Sequence, residues 1–290
     1  MIRRLTFFRK HWSFFFFIFL LAANIFVWLI IVRAERAVLT VAFLDVGQGD
    51  AIFIEAPGGN QVLVDAGRGR QVLRALGPLM PFYDRSIDLI VATHPDADHI
   101  GGFPEVLKRY AVGFILDTGL AAETAVDRAF RQAATAEEAE IIAARRGTRI
   151  FLGAGAVLEV LFPDRDPTGW ETNTASIVAR LTYGNREFLL TGDSPVKIEK
   201  YLVNLANRSL SADVLKVGHH GSKTSSAAEF LAAVAPEYAV ISAGKNNRYG
   251  HPHESVLAAL QKINAKILRT DEFGSIIFQT DGATLNQCPC

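Results

Sequence analysis

Ala92-Thr-His-Pro-Asp-Ala-Asp-His-Ile-Gly-Gly-Phe103 is the stretch on which the reading of this chain turns. An apolar, strand-like run from Ile87 to Thr93 ends in His94, Asp96, Asp98 and His99, four potential metal ligands within six positions. At an extended strand end alternate side chains point the same way, so His94 and Asp96 can converge on one point. A helix starting near Asp98 swings Asp98 and His99 toward a second point. Imidazole nitrogens mixed with carboxylate oxygens suit Zn²⁺, Mn²⁺ or Fe, whereas oxygens alone would suit Ca²⁺ or Mg²⁺. A helix N-cap among solvated neighbours would explain a single His-x-Asp pair. Groups this crowded repel or desolvate one another unless a cation sits among them, and two borderline metals follow.

The chain holds seven histidines, and apart from His11 all fall in three short clusters: His94 and His99, His219 and His220, His251 and His253. Each cluster sits where an apolar strand gives way to a turn containing Gly or Pro, a grouping that points to one shared metal or catalytic centre. Asp45, Asp50 and Asp65 also lie at strand ends, where aspartate either satisfies turn amides or orients ligand histidines.

Phe43-Leu-Asp-Val-Gly-Gln-Gly-Asp-Ala51, Val64-Asp-Ala-Gly67, the His94 to Gly102 motif, Leu190-Thr-Gly-Asp193 and Lys216-Val-Gly-His-His-Gly-Ser222 follow one another in order. Together they resemble the metallo-β-lactamase fold, and more narrowly the hydrolase domain at the C-terminal end of ComEC-type DNA-uptake channel proteins. The match covers residues 38 to 280. Composition alone gives α/β; the resemblance implies a four-layer αββα sandwich. It also implies two divalent metal ions, Zn or Mn. Metal one would take His94, Asp96 and Asp193; metal two would take Asp98, His99, Asp193 and His219, with Asp193 bridging.

Adjacent residues on an extended chain face opposite ways, so one of His219 and His220 should enter the centre. The resemblance selects His219 and leaves His220 as neighbour or substrate contact. It puts His251 at the mouth, where that residue would protonate a leaving group or stabilise phosphate charge. Asp98, His220 and His251 are thus the catalytic candidates. His253 is equally readable as a cap on the helix beginning near Glu254. Many relatives carry another histidine near Asn173-Thr-Ala-Ser176; none stands here, so Asn173 and Ser176 are expected to shape the pocket and the first metal to bind more weakly. Asp193 is also a good N-cap before Pro195.

The chain divides into a basic N-terminus at 1–11, an apolar segment at 12–32, a linker at 33–37, the hydrolase domain at 38–280 and a tail at 281–290. Residues 12–32 carry no formal charge and are rich in Phe, Ile and Leu, enough to cross a bilayer as one helix. Arg3, Arg4, Arg9 and Lys10 precede them without an acid, which orients the rest of the chain outside the cytoplasm. A signal peptide would have a shorter apolar core and fewer charges at the cleavage point than surround Val32-Arg-Ala34. The expected location is the cell membrane, single-pass, with the catalytic domain extracytoplasmic.

Beyond residue 36 the chain has 24 basic and 29 acidic groups, a formal charge of −5. That balance argues against tight nucleic-acid binding through phosphate neutralisation alone. Cys288 and Cys290 frame a terminal Cys-Pro-Cys, which reads as an ordinary chain end. Glu123 to Arg146 reads as one long amphipathic helix, and the strands fall into halves at 38–93 and 157–280.

These features make the expected activity ester hydrolysis by a metal-activated hydroxide, most simply a phosphodiesterase or nuclease acting on DNA or a small phosphodiester. Hydrolysis of a phosphocholine ester, carboxylic ester or lactone is the alternative chemistry. A non-catalytic DNA-uptake accessory and a self-associating membrane protein are alternatives outside it. Any part in DNA uptake would call on a separate channel protein.

Overall fold

A computed structural model of the chain describes residues 12–35, 38–205 and 210–288. His11, the basic N-terminus, the end of the linker and Cys290 lie outside the described residues. Helix α1 (Trp12–Glu35) comes first. Its described side chains from Phe14 to Trp28 are almost all exposed. Among the described residues no helix is long and apolar enough to cross a membrane.

The domain then alternates strands and helices. Its first part runs β1 (Leu39–Phe43), β2 (Ile52–Glu55), β3 (Gln61–Val64), α2 (Gln71–Leu76), β4 (Ser86–Ala92), α3 (Ala97–Ile100) and α4 (Phe103–Leu107). It continues through β5 (Ala111–Asp117), α5 (Ala125–Glu137), β6 (Glu140–Ala143), β7 (Arg149–Gly153), β8 (Ala156–Phe162), β9 (Val178–Tyr183) and β10 (Arg186–Leu190). The last part holds α6 (Val196–Asn204), β11 (Val214–Lys216), α7 (Ala228–Val234), β12 (Tyr238–Ile241), α8 (Glu254–Lys262), β13 (Lys266–Arg269), α9 (Thr270–Phe273), β14 (Ile276–Thr280) and β15 (Leu285–Cys288).

Two sheets result, in the orders β15-β14-β1-β2-β3-β4-β5-β6 and β13-β12-β11-β10-β9-β8-β7. Their layering follows from residue alternation, because successive strand side chains face opposite ways. Val41, Phe43, Ile54, Val64 and Val91 of the first sheet meet Leu158, Val160, Phe188, Leu190 and Val214 of the second in one core. The intervening Ala42, Phe53, Leu63 and Ile90 pack outward with residues of α2, α4 and α5. On the other side Leu189, Leu215, Ala239 and Ile241 pack against α6, α7 and α8. Helices therefore cover both outer faces of a pair of facing sheets.

Three expectations are corrected. The long helix of Glu123 to Arg146 stops at Glu137, because Glu138 turns left-handed at φ 59°. The following Glu140–Ala143 pairs in parallel with β5. The division of strands at 38–93 and 157–280 also fails at the end of the chain, where β14 pairs antiparallel with β1 in the first sheet. Leu285–Cys288, read as tail, is a strand paired with β14.

The parallel strands β3, β4 and β5 end on one side, as do β10, β11 and β12 in the second sheet. Loops leaving those ends carry Asp65, His94 to His99, Asp193, His219, His220 and His251. Such carboxyl ends are where open α/β sheets present binding groups.

Candidate metal centre

His94 and His99 are fully buried side by side, with ring centroids 4.0 Å apart. Helix α3 begins at Ala97, so its single turn carries His99 back over the end of β4. Asp193 follows β10, and its Oδ2 lies 3.3 Å from His99 Nε2, 3.5 Å from His220 Nε2, 3.6 Å from His219 Nε2 and 3.9 Å from His94 Nε2. One carboxylate thus meets four imidazoles drawn from both sheets. Asp193 does not cap α6; the residue at the cap position is Pro195. Asp98 Oδ2 stands 3.7 Å from His220 Nε2, and Asp96 Oδ2 stands 3.7 Å from His94 Nε2 on the more exposed side.

His219 and His220 do not alternate, because neither is extended. Both have left-handed backbone, at φ 49° and 54°, inside a single 3-10 turn. Consecutive non-glycine residues in that region are strained by roughly 1–3 kcal/mol each, a cost that the fixed ends of the turn must hold in place. The His219 amide donates to the Gly192 carbonyl and the Ser222 amide to the His219 carbonyl. Both rings therefore reach Asp193. His220 is buried while a quarter of the His219 side chain is exposed, and His220 is the member of the tight His/Asp groups.

The far nitrogens are held from behind. Asp65 Oδ2 is 2.7 Å from His99 Nδ1, and its own oxygens accept from the amide and hydroxyl of Thr93. His220 Nδ1 lies 3.0 Å from the Ser242 carbonyl and 3.2 Å from Asp50 Oδ1. Asp50 is in turn gripped by the ammonium of Lys216 at 2.5 Å, with both groups almost wholly buried. A ring nitrogen that donates to a carboxylate or carbonyl leaves its partner nitrogen as a lone pair facing forward. Asp45 instead satisfies the Gly47 amide in its turn. Only Gly fits at position 49, where a Cβ would lie 2.2 Å from the Asp98 carbonyl oxygen.

Charge is tightly coupled throughout. Burial alone would raise the Asp193 and Asp50 carboxyls, yet the surrounding cations, His220 and His99 for Asp193, Lys216 and His220 for Asp50, hold both below the usual carboxylate range. Burial likewise would lower His99 and His220, but the facing carboxylates raise both imidazoles. His94 is pushed down to about 4 by burial and by His99. Burial raises the Asp96 carboxyl, partly offset by a hydrogen bond from Thr172.

Buried His94 Nε2, His99 Nε2, His220 Nε2 and Asp193 Oδ1 have no hydrogen-bond partner. Orphaned polar atoms at full burial are costly, and here they converge on one place. His94, His99 and Asp193 form one group able to hold a cation; Asp98, His99 and His220 form another; Asp50, Asp193 and His220 a third. The nitrogen-and-oxygen donor set fits borderline divalent metals.

Over these groups lies an open cavity of about 310 Å³, lined in part by Asp98, Asp193, His219, His220 and His251. Two larger hollows, about 430 and 570 Å³, contain no histidine. Half-buried His251 sits at the mouth with Nδ1 unpartnered, its pKa lowered by burial and by His220 and His219. Its loop is pinned by Asn247, whose Oδ1 accepts from the His251 amide at 3.0 Å. His253 caps α8, accepting from the Ser255 amide. Ser176 Oγ accepts from the Asp193 amide at 3.2 Å, and the Asn173 Oδ1 is buried without a partner. Sequence reasoning missed Lys216, Arg68, Gln48 and Tyr249. The signal for Lys216 was a charge inside the apolar run Val214-Leu-Lys-Val217.

The fold and this donor set together define a metal-dependent hydrolase architecture, and the family model for the metallo-beta-lactamase superfamily matches residues 44–245: the chain belongs to that superfamily. Among curated proteins it is similar to ComE operon protein 3 of Bacillus subtilis (strain 168), 37% identical over 82% of this chain and 33% of that protein. It is also similar to competence protein ComA of Neisseria gonorrhoeae, 38% identical over 67% of this chain and 25% of that protein. The chain thus spans a third or less of the length of these relatives. Zn(2+)-bound PqqB from Methylobacterium extorquens shares the fold at TM-score 0.52 and 13% identity, covering 77% of this chain and 85% of that one.

Proposed function

We propose that this chain is a membrane-anchored, metal-dependent phosphodiesterase that acts on DNA or a smaller phosphodiester. The observation that carries the reading is the set of buried, unpartnered His94, His99 and His220 nitrogens around the free oxygen of Asp193. His94, Asp96 and Asp193 would hold one cation, and Asp98, His99, Asp193 and His220 the other, with His219 beside them. When bound, such a pair of divalent ions supplies Lewis acidity and lowers the pKa of water from 15.7 toward about 7.

The chain's own side chains do the rest. Asp65 and Asp50 fix the ring orientations of His99 and His220, so no reorganisation is needed as charge develops. His251 stands at the mouth, where a readily surrendered proton is useful to a departing oxygen. Superfamily membership and the competence proteins among the relatives support a DNA-related substrate, with a DNA-uptake channel protein as the partner this reading calls for. The exposed apolar length of α1 supports anchoring to the cell membrane, catalytic domain outside the cytoplasm.

The test is hydrolysis of bis-p-nitrophenyl phosphate by the full chain in detergent with Zn²⁺ or Mn²⁺. Turnover is expected, and Asp193→Ala should lose bound metal and at least about 100-fold in rate, as removal of a transition-state-stabilising group does. Metal-loaded protein that cleaves no diester yet opens carboxylic esters or lactones would replace this reading.

A further inference from the structure

At the lip of the cavity two guanidinium groups share one neutral acceptor. Arg248 Nη2 is 3.1 Å from the Tyr249 hydroxyl, and Arg68 Nη2 is 3.4 Å from the same oxygen. Arg248 also lies over the Tyr249 ring, 5.1 Å from its centroid, and that ring stacks on His251 at 5.8 Å and 22°. The two arms come from opposite halves of the domain, Arg68 from the loop after β3 and Arg248 from the loop after β12. Arg68 has one distant carboxylate, Asp98 at 3.8 Å, and no described carboxylate pairs with Arg248. Both arginines are exposed.

Charge at the centre makes this surplus informative. Asp50 is neutralised by Lys216, but Asp65 against His99 adds to Asp96, Asp98 and Asp193, so four negative charges balance two divalent ions and leave no positive charge over for a phosphodiester. The two lip arginines are then the surplus positive charge at the cavity, on a domain whose bulk charge is negative. Guanidinium is the side chain best matched to phosphate oxygens, with fixed parallel donors. Neutral lactones and carboxylic esters would leave both groups unused.

We propose that Arg68 and Arg248, braced on Tyr249, form a clamp for a phosphate flanking the scissile one, which directs the centre to a polyanionic phosphodiester chain. The inference rests on the phosphodiester reading and deepens it. The phenol's role is positional: its oxygen brings the two guanidiniums together.

The test uses the full chain in detergent and a fluorescein-labelled oligothymidylate. Binding is measured by anisotropy in EDTA over a salt series, and KM is measured with metal for the oligonucleotide and for bis-p-nitrophenyl phosphate. For Arg68→Gln/Arg248→Gln the oligonucleotide should bind about tenfold more weakly, with a salt slope shallower by about 1 for each phosphate that the protein no longer neutralises. KM for the oligonucleotide should rise more than KM for the small diester. Arg248→Gln alone, on an exposed loop, should give part of each effect, and Arg68→Lys/Arg248→Lys should restore part of the affinity. Unaltered affinity and salt slope in the double variant, or in Arg248→Gln if the double variant does not fold, would overturn the clamp. Wild-type cleavage of the small diester alongside that result would leave the phosphodiesterase reading standing.

Discussion

A lysine without exposed surface must be neutralised nearby, and Lys216 depends on Asp50 at 2.5 Å for that. Removing one partner of a buried pair strands the other charge, at a cost of about 3–5 kcal/mol. Lys216→Met should therefore lower the melting temperature by roughly 10 °C, since each kcal/mol shifts a domain this size by about 2–4 °C. Lys216→Met/Asp50→Leu should recover part of the loss; a double variant as unstable as the single one would contradict the pairing. A second expectation concerns metal uptake. With His99 and His220 raised above the ordinary imidazole value by their carboxylates, protons compete with a cation for both rings. Zinc affinity should climb as pH rises from 6 to 8, by at most about tenfold per unit for each proton released. Calorimetry in buffers of different ionisation heat reads this directly, and a buffer-independent heat would refute it. At this scale His94, Asp98, His99 and Asp193 were legible because strand ends crowded with ligands have few other uses. Asp45, Asp50 and Asp65 looked alike in the sequence, since only folding brings Lys216 and two histidines against two of them. The expectation that only one of His219 and His220 faces the centre failed for a related reason, their left-handed turn being set by contacts to Gly192 and Ser222 and bringing both rings to Asp193.

Helix α7 has no side-chain cap of its own, and Glu199 of α6 fills the place by accepting from the Ser226 and Ala227 amides at 2.7 Å each. Burial pushes this carboxyl up to about 7 despite those two bonds. A raised acid binds its proton more tightly in the folded chain than in the unfolded one, where it titrates near 4.5. Its contribution is complete below pH 4.5 and is lost as pH rises through about 7, on the order of 3 kcal/mol in all. Urea unfolding should show lower stability at pH 8 than at pH 5, with a smaller difference in Glu199→Gln. Equal pH dependence in that variant would count against the assignment. Element boundaries were legible where apolar runs alternate, as in β8 and β9. They were misread at residues 138–143, where Ala- and Glu-rich composition favours helix, but pairing with β5 overrides propensity.

At the scale of the molecule, α1 carries a continuous row of exposed Phe, Ile and Leu, whereas the exposed large apolar residues of the domain, such as Phe82, Ile141 and Phe151, are scattered along the chain. Deleting residues 1–36 should move the protein from the membrane pellet to the soluble fraction without changing its bound metal. Recovery of the intact chain in a high-salt supernatant would rule out the anchor. The pairing of two sheets was not readable from composition or periodicity, which reach only α/β; it came with the ordered motifs. Nor did periodicity reveal that the last strands rejoin the first. That return has a consequence for biosynthesis. β1 zips to β14 through Leu39 with Thr280 and Phe43 with Ile276, so its outer backbone groups find no partner until about 240 further residues have left the ribosome. During that interval the nascent sheet is a sticky template for its neighbours, and yield should depend on how quickly translation delivers the closing strand.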